Sequence, residues 1–461
     1  MTPRRMSVQM EAVHGERSWP AYRTIWRWHF YAGLIAIPFI LWLATTGAIY
    51  LFRPQIEAWL DRPYDHLPIT GAPASAQAQV SAAIKAVPGS NLHFYQLPAS
   101  SQSAVQILVG RGAQEFRVYV HPETARVIRI VNEDSRPMNI VFHLHGELLV
   151  GDRGSMIVEL AASWAIVMIA TGLFLWWPRG VKGLGGVLYP RFRQGQRIFW
   201  RDLHGVTGIW VSGLALFLLL TGLPWASNWG KYLETIRSLT HTSGNPDWTA
   251  GSAAEASLRL ARDPSGTNQG HHGGNRLQSV TSLYTGIDRI AEAVTPLHLA
   301  WPVLIAPPLV PGGLWTAKSD AQNRTLRTSL QLDSTGAIVK REDFSQQQWI
   351  DRWVETGVAA HEGQLFGLAN QLLGLFTAIC LVMLSISALI LWWRRRPSKV
   401  LGAPLYQSPE RPLAFSFVLV LICFCIYLPL LGASILAVRV VELIVLRRIP
   451  ATRKWLGLAS A

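Results

Sequence analysis

Four runs of residues, about 28–52, 155–177, 206–226 and 366–393, are apolar over the roughly 20 residues a helix needs to cross a bilayer core. Nothing else in the chain constrains it as strongly, because lipid admits only helices and closed barrels. Composition agrees: 15% of the 461 residues are charged, against about 25% in soluble domains. The 20 Trp fit a chain with membrane interfaces. A fifth apolar run begins near Leu413 and reaches about Leu430. The stretch that follows, Leu431 to Leu446, contains Arg439 and Glu442 and reads as a short sixth span or an interfacial helix, with Pro429 and Gly432 marking a break between the two. The first span lacks a small-residue cleavage site after a short apolar core and reads as an uncleaved anchor. All three cysteines, Cys380, Cys423 and Cys425, lie inside apolar runs, which excludes a disulfide framework and a Cys-based zinc site.

The formal charge of +14 would suit nucleic acid if it formed one basic face. It does not. Residues 1–28, 178–203 and 394–412 hold sixteen Lys/Arg against four acids, whereas 53–142 and 226–360 hold twenty against nineteen. By the positive-inside rule the first group is cytoplasmic, with the N-terminus, and the two long segments are outside. The basic excess is an orientation signal, and no nucleic-acid partner is expected.

The chain also repeats. Thr46-Gly47, Thr171-Gly172, Thr221-Gly222 and Ser387-Ala388 stand near the ends of the four spans, and His29, His145, His204 and His361 near their starts. His29 to Thr46 and His204 to Thr221 are both 17 residues; His145 to Thr171 and His361 to Ser387 are both 26. Each outer segment carries an apolar helix-like stretch, Val80 to Val87 and Ile287 to Val294, followed by alternating runs that read as hairpins. The expected organisation is therefore an internal duplication. Its parts are 1–52, the N-terminus and first span; 53–142, an outer α+β domain; 143–226, two spans around a basic loop; 227–360, a second outer α+β domain; 361–412, the fourth span and a basic loop; and 413–461, the C-terminal helices.

Ionisable residues at span edges mark functional sites by default. Topology puts His29 and His204 near the inner face and His145 and His361 near the outer face. Each level then has two imidazoles from two helices, the arrangement a bis-histidine haem requires. Two b-type haems are expected, about 25 Å apart at 1.5 Å rise per residue. Gly33 and Gly208, each four residues after a histidine, would let a porphyrin approach the backbone; Gly146, Gly205 and Gly363 stand close to the other ligands. His143 rivals His145, but the 216-residue offset registers His145 with His361 and His143 with Ala359. Glu147 and Glu362 are off their histidines' helical faces and suit contacts to the ligands or to an outer substrate. Gly270-His271-His272-Gly273-Gly274 is a weak metal motif, and Gly183-Leu184-Gly185-Gly186 resembles a nucleotide loop only superficially. With no nicotinamide or flavin site in view, a membrane quinol or a cytoplasmic reductase must supply electrons. Trp164 and Trp210 lie within spans, where packing is the ordinary role.

The stretches Leu144-His145-Gly146-Glu147-Leu148-Leu149, Thr171 to Arg179, Asp202-Leu203-His204-Gly205-Val206-Thr207-Gly208, Thr221 to Trp225 and His361-Glu362-Gly363-Gln364-Leu365-Phe366-Gly367 resemble the PepSY-associated transmembrane proteins over nearly the whole chain. That family includes iron-regulated inner-membrane siderophore reductases. The resemblance implies a multi-pass bacterial inner-membrane protein, mainly α-helical with two small periplasmic PepSY-like α+β domains. It also implies bound haem and reduction of a ferric siderophore to release iron. Two alternatives are a siderophore transport component without redox activity, disfavoured by the few polar groups in the spans (Glu159, Asn370, Gln371), and an interaction module built on the outer domains.

Overall fold

The apolar runs become long helices, as hydropathy requires. The computed structural model describes residues 22–178, 183–242, 257, 259–262, 284–310, 312–397, 400–404 and 415–458. In chain order, α1 (Tyr22–Tyr50) leads to α2 (Arg53–Asp61) and α3 (Ala76–Ala86). Strands β1 (Asn91–Gln96), β2 (Val105–Arg111), β3 (Gln114–Val120) and β4 (Val127–Asn132) follow, then α4 (Pro137–Glu147) and α5 (Asp152–Trp176). The second half runs α6 (Gln196–Gly222), α7 (Ser227–Leu239) and α8 (Ile287–Val294). It continues with β5 (Val303–Ala306), β6 (Trp315–Ser319), β7 (Thr328–Leu332), β8 (Ile338–Asp343), α9 (Trp349–His361) and α10 (Leu368–Arg395). Helices α11 (Phe415–Tyr427), α12 (Pro429–Val441) and α13 (Pro450–Leu456) close the chain.

Among the described residues five helices are long and apolar enough to cross a membrane: Tyr22–Tyr50, Asp152–Trp176, Gln196–Trp225, Leu368–Arg395 and Pro429–Leu446. The last matches the short sixth span that the sequence left open. Of the stretch expected as the fifth span, about 413–430, the described residues before Pro429 hold the 13-residue α11, about 20 Å of helix. Pro429 removes a backbone donor and starts a new helix with Leu428 as its N-cap, and the run read as a short sixth span or an interfacial helix is the one of spanning length. Its two charges are held locally: Glu442 accepts from Arg439 at 3.0 Å and from Arg447 at 2.9 Å.

The chain divides into two compact units, one of residues 1–36, 163–210 and 386–461, the other of 37–162 and 211–385. In the first, Arg27 donates to the Pro404 carbonyl (2.7 Å) and Tyr31 to the Leu456 carbonyl (2.8 Å), tying the start of α1 to the C-terminal segment. Asp202 receives Arg191 at 2.7 Å and Arg201 at 2.8 Å. The Gly183–Gly186 turn folds beside that cluster. A Cβ at Gly186 would sit 2.6 Å from Arg191 Nη2, which accounts for glycine there without a nucleotide.

The second unit holds the strands. They form one eight-stranded sheet in the order β4-β3-β2-β1-β5-β6-β7-β8. The two outer segments therefore share a sheet, joined where β1 pairs antiparallel with β5 through Tyr95↔Ile305 and Gln96↔Leu304. Helices α3 and α8 pack into a single core with it, in which Val80, Ile107, Ile287, Ile290, Ile305 and Leu330 are at most 1% exposed. Polar contacts follow the same seam: Gln77 N–H donates to Asp288 Oδ1, joining α3 to α8. Ile305 lies at that junction and is fully buried. Ile305→Ala is expected to cost about 2–5 kcal/mol, read as earlier loss of the sheet's circular-dichroism signal in thermal unfolding.

Candidate functional site

The four histidines come together as two facing pairs. In the first unit, His29 on α1 faces His204 on α6, ring centres 6.4 Å apart and planes at 74°. In the second, His145 on α4 faces His361 on α9, again 6.4 Å apart, at 79°.

Each imidazole is held by a hydroxyl from another helix. His29 Nδ1 lies 3.0 Å from the Met168 carbonyl and 3.2 Å from Thr171 Oγ1. A carbonyl only accepts, so Nδ1 carries the proton and Nε2 the lone pair. His145 Nδ1 lies 2.9 Å from Thr46 Oγ1 and also bonds the Leu43 backbone. His361 Nδ1 lies 3.0 Å from Thr221 Oγ1 and bonds the Leu218 backbone. In both, the acceptor carbonyl stands three residues before the threonine, as Met168 stands before Thr171. The hydroxyls spend their own protons within their helices: Thr46 donates to Trp42, Thr171 to Val167 and Thr221 to Phe217, at 2.7–2.9 Å. They are therefore acceptors toward the histidines. His204 Nδ1 pairs with Ser387 Oγ at 3.2 Å. Fixing the tautomer through Nδ1 aims Nε2 as a ligand, a common device in metal sites.

The glycines after those hydroxyls give the rings room. A Cβ on Gly47 would lie 3.1 Å from His145 Cε1, on Gly172 3.0 Å from His29 Cε1, and on Gly222 3.4 Å from His361 Cε1. Three Thr-Gly motifs thus combine a hydroxyl partner with room for a ring, and Ser387 supplies the hydroxyl for the fourth histidine.

A family profile described as the PepSY-associated TM region matches residues 26–395, a stretch containing both pairs and all four hydroxyl partners. The chain belongs to the PepSY-associated TM region family. It is a membrane protein. No curated protein matches it.

The PepSY-associated chain differs from the sequence-based picture in where two ligand candidates sit. His145 and His361 do not open the spans that follow them. Each lies in the last turn of a separate short helix, α4 or α9. Leu148 and Leu149 adopt positive φ after α4, and Gly363 (φ 73°) and Gly367 (φ 59°) stand between α9 and α10. His143 does not face His361: its Nδ1 lies 3.1 Å from Glu147 Oε2, one turn away. Glu147 therefore supports His143, not His145. Gly33 keeps an open face one turn beyond His29, where a Cβ would meet only Met168 Sδ, at 3.8 Å. Gly208 lies one turn beyond His204 on α6. Gly146 has nothing within 4 Å of an added Cβ, and Gly205 only Trp176, at 3.9 Å. Trp164 donates to Ser434 Oγ and Trp210 to the Leu188 carbonyl, both ordinary structural bonds. His271 and His272 lie outside the described residues. Among the described residues no group of three or more His, Cys, Asp or Glu comes together.

Beside the second pair stand Tyr50, Phe142 and Trp225, with Phe142 6.0 Å from Tyr50 and 6.3 Å from Trp225. Arg53 bonds Glu57 Oε1 at 3.0 Å and Tyr50 Oη at 2.8 Å. Burial opposes its charge, but Tyr50, Glu57 and Glu362 outweigh that and hold the guanidinium firmly protonated.

Proposed function

We propose that this chain is a di-haem electron conduit of the bacterial inner membrane that reduces a periplasmic ferric siderophore. His29 and His204 would hold one b-type haem, and His145 and His361 the other. The observation that carries the reading is the geometry of the two pairs. Two imidazoles bound to one iron through nitrogens at about 2 Å would have ring centres about 6.4 Å apart, and both pairs stand at 6.4 Å. For His29, His145 and His361 the lone-pair nitrogen is Nε2, left by the Nδ1 bonds beside Thr171, Thr46 and Thr221, and His204 engages Ser387 through the same Nδ1. When bound, a haem supplies a reversible one-electron carrier.

Basic segments between the spans favour a cytoplasmic side for His29 and His204, and the nearly neutral strand-bearing segments a periplasmic side for His145 and His361. The two halves, each a span, two helices, four strands, a histidine-bearing helix and a span, are read as an internal duplication. A quinol or cytoplasmic reductase would donate electrons, and one-electron reduction of the chelated iron would release it as ferrous ion. The transport alternative draws no support from the polar residues near the spans. Glu159 accepts from Asn228 and the Trp229 N–H, Gln371 bonds Gln55, and Asn370 donates to the Ala360 carbonyl. Each of these side chains thus makes a hydrogen bond within the protein, though Asn370 Oδ1 has no partner.

Stopped-flow mixing of dithionite-reduced protein with ferric siderophores, with a ferrous-specific chelator present, tests the function. Reoxidation that depends on the chelate, with stoichiometric ferrous capture, is expected. Reoxidation indifferent to every ferric chelate would sink the assignment.

A further inference from the structure

Arg324 stands out as a buried cation with two guanidinium nitrogens that lack an acceptor. It occupies a short turn, Arg324–Leu326, is 7% exposed, and its Nε and Nη1 have no hydrogen-bond partner. Its guanidinium lies over Trp225, 4.9 Å from the ring centre. A cation–π contact offsets part of the lost hydration, but buried guanidinium N–H groups without acceptors remain costly. A buried charge in a native protein is paired or binds an anion.

The surroundings of Arg324 belong to the His145/His361 pair. Trp225 is four residues beyond Thr221, the hydroxyl that holds His361. Trp225 also meets Phe142, which sits one helical turn before His145 on α4. Asn323, the preceding residue, donates to the Leu365 carbonyl, four residues beyond His361. Of the other charges on the surrounding elements, Arg53 is taken by Glu57 and Tyr50, and Asp351 of α9 by Arg237 at 2.7 Å, while Glu355, also on α9 and 1% exposed, makes no hydrogen bond to Arg324 Nε or Nη1.

We infer that Arg324 receives a carboxylate, a propionate of the haem held by His145 and His361. This rests on the function proposed above. A substrate carboxylate has the same chemistry, but Arg324 is buried beside the pair, where a resident group suits it better than an exchanging one. The cation would anchor that haem and favour its reduced form, because reduction adds a negative charge near the guanidinium.

The test uses the full-length protein loaded with haem. Arg324→Gln is expected to lower the midpoint potential of one haem and leave the other unchanged, with Arg324→Lys intermediate. Loss of that haem to apomyoglobin should quicken about tenfold or more, the scale of a charge-assisted hydrogen bond. Wild-type protein reconstituted with haem dimethyl ester should show the same quickening, and Arg324→Gln should add little to it. Unchanged potentials and haem loss in Arg324→Gln, with a raised KM for the ferric chelate, would assign the arginine to substrate and overturn the inference alone. Wild-type protein without haem would overturn the function and this inference together.

Discussion

His361→Ala is expected to take the purified protein from two haems per chain to one, and His204→Ala to remove the other. The double variant should show no reduced-minus-oxidised b-type spectrum. The expectation follows from the facing pairs, since each haem would lose one of two axial nitrogens and its place between two helices. His143→Ala provides the control. His143 is bonded to Glu147 and does not face His361, so that variant should keep both haems, whereas His145→Ala should behave like His361→Ala. Haem quantitation with a reduced-minus-oxidised spectrum reads all of these. Equal haem content in His361→Ala and wild type would contradict the pairing.

Gly47→Val is expected to have nearly as large an effect while changing no ligand. Even a single Cβ would fall 3.1 Å from His145 Cε1, and the two γ-carbons of valine, stiff at χ1, cannot turn away freely. The imidazole would be displaced, with loss of the haem at His145 and His361. Thr46→Val separates orientation from space. It removes the hydroxyl acceptor from His145 Nδ1 while keeping the side-chain volume, and the Leu43 carbonyl remains. Changes to groups that orient a ligand typically cost 10–100-fold in metal affinity, so Thr46→Val should weaken haem retention by about tenfold with the bis-histidine spectrum preserved. Haem transfer to apomyoglobin measures both. Wild-type retention in Gly47→Val would show that the crowding is absorbed elsewhere.

The spans were legible because hydropathy sums over many residues and tolerates local error. Their boundaries with the histidine helices were not. Leu148-Leu149-Val150 reads as continuous apolar helix, yet Leu148 and Leu149 turn with positive φ before α5 begins. The break at Pro429 was visible as a proline in an apolar stretch, but hydropathy did not show which side of it reaches spanning length. Alternation revealed strands in each outer segment, but nothing local encodes the pairing of Tyr95 with Ile305 across some two hundred residues. The histidines were found through repeat register. Thr46, Thr171, Thr221 and Ser387 were visible in the same repeat, yet their role was hidden. Each bonds a histidine between 99 and 183 residues away in sequence, so the motif makes sense only once the helices are packed. Arg324 had no sequence signal at all; its meaning lies in what does not surround it.

Haem stoichiometry with the low-temperature electron paramagnetic resonance spectrum of purified protein decides whether the four histidines form two haem sites. Two haem b per chain are expected, both low-spin with two nitrogen ligands each. A protein that binds no haem, or one whose haem is high-spin with a single histidine, would contradict it.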